Sequence, residues 1–456
     1  MSLIDSVQIA ALSRFLDTAT ARQKAVTTNI ANLDTPGYSR QRADLQESDA
    51  IFDGQHMFGT GVELDQIVSL RDRVLNLRIQ DERQNQGALE AQVNSLQDIE
   101  PLFSSQTESL NDAISKFFGS ISDLSTNAAS VPLRQAVLIS AEDLTARFRS
   151  ASTTLQQRQF SLDLDIEQAA DQVNQITLQI AHLNAKIAGC LAKSSEKGAF
   201  EDQRDQQLEA LSNLIGNQVI MADDGLAVTT HDGRSLVLGG HSTPLTTSRQ
   251  ADGSVRLFMD GQDITDSIVG GKLGGLITAR QQTIPKIQEE LDTLADSIAT
   301  AVNTVHSNGT DLDGNPGVEF FVAPPTGGSG AAAGFQVNIA DPRKIAGSLD
   351  GSAGDNANLN AIFNLETQPI VHGDTPSSFY AKVAFGLGSQ ISNASSELAA
   401  SEAVAEQFSN QRGAISGVSL DEEAANLIRY QRAYEAAARV LTVISDLTAI
   451  SVNLGR

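Results

Sequence analysis

The 456-residue chain has no tryptophan, a single cysteine and only 5% aromatic residues. One thiol, Cys190, excludes an intramolecular disulfide framework. So few aromatics suit thin helical packing seams better than one thick core. No apolar run approaches the ~18 residues of a membrane span, so membrane insertion is not expected. The opening MSLIDSVQIAALSRFLDTAT carries Asp5 and Arg14 and lacks an apolar stretch followed by a small-residue cleavage site. A cleaved secretory signal is therefore not expected, and a chain that leaves the cell needs another export route. Basic residues are outnumbered 32 to 56, and no basic patch offsets phosphate repulsion, which argues against a nucleic-acid partner.

Catalytic chemistry is equally sparse. The histidines, His56, His182, His231, His241, His306 and His372, form no HxxxH or HExxH pair. No GxSxG or Walker sequence occurs, and GGKLGG at 270–275 lacks dinucleotide-binding spacing and reads as a strand-to-helix junction. Cys190 follows Gly189 at an expected helix end with no histidine beside it, which gives a thiolate nothing to activate it. Asp311-Leu-Asp313-Gly-Asn315 opens like a calcium loop, but its glycine is fourth rather than sixth and Val322 stands at the twelfth position. A polar turn is the expectation there. The residues point to no enzyme, no cofactor and no metal.

What the chain does have is periodicity. Ile9, Leu12, Leu16, Ala19, Gln23, Val26 and Ile30 follow one another at spacings of three and four, the seam of an amphipathic helix. Asn32, Asp34, Pro36 and Gly37 then stop it, because proline biases Thr35 out of the helical region and glycine permits positive φ. At the other end Leu420, Ala424, Leu427, Gln431, Tyr434, Ala438, Leu441 and Ile444 make a second narrow seam, started by Ser419 and three acids. Tyr434, a heptad from both Leu427 and Leu441, is its expected centre, with Tyr430 off the seam. Both seams are marginal alone, so the two end helices are natural partners. Residues 1–42 hold five basic residues against three acidic and residues 420–456 four against five, so nearly all of the formal charge of -24 lies between them. Near-neutral ends are able to pack in many copies while the middle repels its neighbours.

Pro132 to Ala188 has no glycine or further proline and holds one apolar seam, predicting a helix of about 85 Å. Further helices are expected near Arg73 to Gln97, from Ile287 to Val305 and from Leu387 to Phe408. Between Gly216 and Gly271, alternating apolar residues punctuated by Asp-Gly turns at Asp224, Asp232, Asp252 and Asp260 predict an inserted antiparallel β domain. APPTGGSGAAAG, 323–334, reads as a flexible link. The expected fold is mainly α with a β insertion: an elongated antiparallel bundle or coiled coil formed from both chain ends, plus the small β domain. Its divisions are 1–65 with 415–456 as terminal helices for assembly, 66–215 with 272–414 as the helical bundle, and 216–271 as the β domain.

NIANLDTPGYSRQ, with Asn29, Ala31, Asn32, Thr35, Pro36, Gly37 and Tyr38, resembles the N-terminal signature of the axial proteins of the bacterial flagellum. GVSLDEEAANLIRYQRAYEAAARVLTVI, with Leu420, Leu427, Gln431, Tyr434 and Leu441, resembles their C-terminal signature. Tyr38-Ser39-Arg40-Gln41 and Arg429-Tyr430-Gln431 are most similar to the hook-associated branch, which joins hook to filament. The resemblance implies a non-enzymatic structural protein, exported through the flagellar type III apparatus and extracellular. It also implies a ring of subunits, with the hook protein, a second hook–filament junction protein and an export chaperone as partners. The residues named in the two signatures would form the assembly motif. Rod or hook subunits share these termini but are predominantly β between them. A surface adhesin or enzyme using the β insertion would need clustered polar ligands at 216–271, and the sequence has none.

Overall fold

The computed structural model describes residues 3–53, 56–104, 109–190, 196–222 and 225–454. The helix predicted first is α1, Leu3–Ala31, and the last is α11, Leu420–Leu454; they pack on one another along their length. Residues 41–65, expected with the terminal helices, and the first residues expected in the bundle instead form strands β1 (Gln41–Glu47), β2 (Ile51–Asp53), β3 (His56–Phe58) and β4 (Val62–Ser69). Past the Pro36-Gly37 turn the apolar residues space themselves in a strand-like pattern, and β1 and β4 pair antiparallel with a bulge at Asp44/Leu45. Both strands pack on α1, and the β2–β3 hairpin stands beyond them.

The bundle follows. Helices α2 (Arg73–Gln97), α3 (Pro101–Ser104) and α4 (Leu110–Ser125) lead into α5 (Val131–Gly189), 59 residues without a break. At 1.5 Å per residue α5 is about 88 Å long. Ser130 caps it and Pro132 occupies its first turn, where a missing N–H costs nothing. Helix α6 (Glu196–Leu214) returns along it to a four-stranded sheet in the order β5-β6-β7-β8 and a three-stranded sheet in the order β11-β10-β9. These are β5 (Asn217–Ala222), β6 (Gly225–Thr230), β7 (Ser235–Leu238), β8 (His241–Ser242), β9 (Leu245–Arg249), β10 (Val255–Met259) and β11 (Gln262–Asp263). Asp232, Asp252 and Asp260 lie in turns as expected, whereas Asp224 lies outside the described residues. Helices α7 (Gly271–Thr278), α8 (Ile284–His306), α9 (Ala357–Asn364) and α10 (Pro376–Ser416) complete the chain.

Three polar residues on one face of α5 fix the β insertion to it. Asp163 accepts from Val255 N and Arg280; Asn174 exchanges two bonds with the backbone of Leu245; Asn184 donates to Leu226 O and Gly239 O. Their separations of 11 and 10 residues are close to three helical turns, so all three face the sheets. The scarce aromatics are concentrated rather than spread along seams. Phe117, Phe118, Phe148, Phe320, Phe321 and Phe335 cluster with neighbouring ring centroids 4.7 to 5.8 Å apart. The link at 323–334 is pinned rather than loose, because Asp292 accepts from Gly330 N and Ala332 N, both at 2.9 Å, and Ala332 is buried. Among the described residues, the apolar core built on these helices takes no buried residue from α1, β1–β4 or α11.

Buried His306, at the end of α8, closes the irregular stretch that follows. Its Nδ1 bonds Val318 O and its Nε2 accepts from Ala346 N at 2.8 Å, an arrangement that requires the neutral ring. Burial pulls its pKa down to about 4 against the upward pull of the Val318 carbonyl, and Arg134 adds a lesser downward push. An unfolded histidine titrates near 6.5, so this contribution is intact above pH ~6.5 and is lost as pH falls towards 4, about 3 kcal/mol in all. Urea denaturation at pH 7 and pH 4.5, compared with His306→Gln, should show that loss in the wild type and a much smaller one in the variant. Equal pH slopes would contradict it.

Candidate functional site

Residues of both signatures meet where α1 ends, α11 begins and α6 passes beneath. Asn29, fully buried in the last turns of α1, uses its whole amide. Nδ2 donates to Gln41 O at 2.9 Å and to Glu423 Oε2 at 3.1 Å; Oδ1 accepts from Gln41 N and from the Tyr38 hydroxyl, both at 2.8 Å. Glu423 is 1% exposed, and its other oxygen takes Arg40 Nε at 2.8 Å and Nη2 at 2.6 Å. Arg40 also reaches Glu422 at 3.1 Å, and its backbone N–H donates to Ser416 O at 2.9 Å. One carboxylate from the C-terminal helix is thus neutralised and fully bonded by two N-terminal side chains.

The turn between them is built from local bonds. Asn32 Nδ2 donates back to Thr28 O, Thr35 N donates to Asn32 O and Tyr38 N to Thr35 O. Gly37 has φ of 74°, and a Cβ there would stand 2.5 Å from Gln206 Nε2, which itself donates to Pro36 O. Ala31, Thr35, Pro36 and Gly37 face solvent, and their work is in backbone geometry.

A second charged cluster ties the turn to the bundle. Ser39 N donates to Asp202 Oδ2 at 3.0 Å, and Asp202 Oδ1 takes Arg71 Nε at 3.0 Å and Nη2 at 2.7 Å. Arg71 further bonds Glu201 and Gly198 O. Burial first, then Asp202 and Glu423, hold the Tyr38 hydroxyl well above its usual range, so it remains a donor. Burial likewise pushes Asp205, 3.8 Å from Arg71, up to about 6. A cavity of about 400 Å³ opens beside this cluster, walled by Arg73, Leu77, Val219 and Met221.

The expected C-terminal seam is displaced. Leu427 and Leu441 are half-buried towards α1, but Leu420 (51%), Gln431 and Tyr434 (39%) are exposed. The stripe that meets α1 is Glu423, Tyr430, Ala437, Leu441 and Ile444, with Arg22 stacked 5.4 Å from the Tyr430 ring centre. Tyr430, expected off the seam, is the tyrosine turned towards α1. A spacing of three and four fits two adjacent stripes of an alanine-rich helix, and apolarity alone selected the wrong one. Arg40, Glu423, Arg71 and Asp202 were not singled out from sequence, although Arg40 and Glu423 stand inside the two signatures. At 311–315 the cation is a side chain: Lys344 Nζ lies 3.1 Å from Asp311 and 3.3 Å from Asp313, which also pairs with Arg343. Among the described residues no group of three or more His, Cys, Asp or Glu could hold a metal ion.

A chain whose two ends are locked into one helical module, joined to a long bundle by charged contacts, has the organisation of a structural subunit. The family profile described as "Flagellar hook-associated protein FlgK helical domain" matches residues 96–321, and "Flagellar basal body rod FlgEFG protein C-terminal" matches 411–454. The chain is 25% identical to flagellar hook-associated protein 1 of Escherichia coli, covering 96% of this chain and 98% of that one. It is 28% identical to the protein of the same name from Bacillus subtilis, covering 95% and 96%. The solved flagellar hook junction protein FlgK of Burkholderia pseudomallei superposes with a TM-score of 0.67 at 18% identity, over 75% of this chain and 100% of that one. The chain belongs to the flagellar hook-associated protein 1 family. The Escherichia coli alignment runs over 536 positions against 456 residues here, so that relative carries segments this chain lacks.

Breaking the carboxylate node should loosen both ends together. Glu423→Ala takes from Arg40 its buried partner, leaving it only Glu422, and takes from Asn29 Nδ2 one of its two acceptors, a loss of about 3 kcal/mol. Amide exchange at residues 25–45 and 416–430 should then accelerate roughly a hundredfold, with residues 140–180 unchanged. A Glu423→Leu, Arg40→Met chain, which removes both charges, should recover much of the protection. Unchanged exchange in Glu423→Ala would show that the node does not hold the ends.

Proposed function

We propose that this chain is the structural subunit that joins the flagellar hook to the filament, exported without a cleaved signal and assembled outside the cell as a ring of its own copies. The observation that carries this reading is similarity over 95–96% of the chain to hook-associated protein 1 of Escherichia coli and of Bacillus subtilis. The buried pairing of the two terminal signatures supports it, because a tube subunit must present both ends as one helical unit. In this reading α1 and α11 form the inner module, and α2 to α10 with the inserted sheets form the part further out. The hook protein lies on one side of the ring and a second junction protein on the other, and an export chaperone holds the chain before secretion. The helical-domain match at 96–321 favours this over a rod or hook subunit. A strain lacking the protein should make hooks, carry no filaments and release filament subunits into the medium, and supplying the chain should restore filaments. Normal filaments on the deletion strain would overturn the reading.

The exposed signature residues Leu420, Gln431 and Tyr434 are then contacts between copies. A half-exposed tyrosine covered by a neighbour contributes about 1–2 kcal/mol. Tyr434→Ala should be secreted at the normal level, keep the monomer's helix content and leave fewer filaments per cell. Tyr430→Ala, which removes the Arg22 stack, should instead lower the monomer's own protection along α1. Equal filament counts for Tyr434→Ala and wild type at matched secretion would remove Tyr434 from the contact.

A further inference from the structure

The cavity of about 400 Å³ beside the Arg71 cluster, the size of a small-ligand pocket, lies where β4, α2, α6, β5 and β6 meet. Part of its wall is apolar. Leu208 and Leu226 are buried there, while Leu77 and Met221 border it 43% and 58% exposed. The remainder carries charge of both signs. Arg71 and Glu201 are bonded to one another, which leaves Arg73, Lys197, Arg204 and Asp205 as the groups that face a guest. Arg204 and Asp205 follow one another on α6, so a cation and an anion border the same space side by side.

These groups lack the partners that burial demands. Asp205 Oδ2 accepts from Asn76 Nδ2 at 3.2 Å and lies 3.8 Å from Arg71, yet burial outweighs the arginines around it and pushes its pKa up to about 6. Burial pulls the Arg204 guanidinium below its usual range, against Asp205 and Glu201. Arg204 Nη1 donates to Asn184 Oδ1 at 3.2 Å, but its Nε, like Asn76 Oδ1, is shut off from water with no hydrogen-bond partner in the protein. One unmet group donates, and the other, on the side chain that holds Asp205, accepts. Arg73 and Lys197 form no ion pair among the described residues. An unmet buried donor or acceptor is costly, so a molecule that pairs with both is held firmly.

We propose that this cavity binds a free α-amino acid with an aliphatic side chain. The carboxylate accepts from Arg204 Nε and is neutralised by Arg73 or Lys197, the ammonium donates to Asn76 Oδ1 and Asp205, and the side chain lies against Leu77, Leu208, Met221 and Leu226. Opposite charges side by side in the wall call for a guest that carries both charges on one carbon. A peptide end has only one of the two, and a fatty acid has only the carboxylate; either leaves one unmet group or one charge without a partner. The wall is drawn from β4 of the terminal module, from α2 and α6, and from β5 and β6 of the insertion. A bound molecule therefore ties three parts of the chain together and slows their separation.

The test uses the purified full-length chain, titrated calorimetrically at pH 7 with L-leucine and with analogues of similar size. Leucinamide lacks the carboxylate, 4-methylpentanoate lacks the ammonium, and L-glutamine lacks the apolar side chain. L-leucine should bind at a single site with a Kd of about 0.1 mM. Each analogue should bind roughly tenfold more weakly or not at all. Saturating L-leucine should slow amide exchange at residues 69–80 and 197–208 and leave residues 140–150 unchanged. Leu77→Asp and Met221→Asp, both at exposed positions, should weaken binding roughly tenfold with helix content unaltered. Arg204→Met and Asp205→Asn should weaken it through the carboxylate and the ammonium respectively. No heat and no change in exchange at about 10 mM L-leucine would overturn the proposal. So would equal binding of leucinamide or 4-methylpentanoate, or unaltered binding by the Leu77→Asp chain.

Discussion

The structure depends on one carboxylate. Glu423 is almost wholly removed from water, and Asn29 and Arg40 hydrogen-bond and neutralise its two oxygens. A buried charge without partners costs several kcal/mol, so the C-terminal helix has a strong reason to sit at that one place on the N-terminal one. A buried ion pair adds little net stability over a well-packed apolar contact. What it supplies is position: 394 residues apart in sequence, the two ends meet in one register because any slip strands Glu423, Arg40 and Asn29 together.

The same reasoning explains why the ends and the bundle are attached as they are. Among the described residues, no buried residue of the continuous apolar core comes from α1, β1–β4 or α11. The terminal module is held instead by directional contacts on α6: Asp202 with Ser39 and Arg71, and Gln206 with Pro36. Hydrogen bonds and ion pairs specify angle more sharply than apolar packing does, which suits a joint where the chain turns out of one module and into another. Titration acts on the joint in the opposite sense to His306. Asp205 has a raised pKa, so its contribution is greatest at low pH and fades as pH rises through about 6, while the His306 contribution fades as pH falls towards 4.

Periodicity made the long elements legible. The unbroken run after Pro132, the end helices, the Asp-Gly hairpins of the insertion and the turn at Asn32 to Gly37 each follow from local rules of spacing, proline and glycine. Residues 41–69 were missed as strands because their alternation is short, bulged at Asp44/Leu45 and interrupted by polar residues. The pinned link at 323–334 was missed because its anchor, Asp292, is some forty residues away. The site was half legible: the signature positions mark the joint, but which charges pair within it is a tertiary fact. The face of α11 was misread because alanine separates two apolar stripes without announcing which is covered.

That second stripe bears on where the module's stability comes from. Ala437 on α11 and Ala19 and Ala25 on α1 are buried, and an alanine methyl removes little surface from water. On the other side of α11, Ile428, Val443, Leu447 and Ile450 remain exposed, and each would contribute about 1.5–3 kcal/mol if fully buried. Helices of this kind are marginal alone and gain their stability when a neighbour covers the outer face. The near-neutral charge of both ends permits that approach, and the acidic middle opposes crowding of the bundles. The buried node sets how the two ends face each other, and the uncovered stripe leaves a further apolar gain to contacts made after the chain has folded.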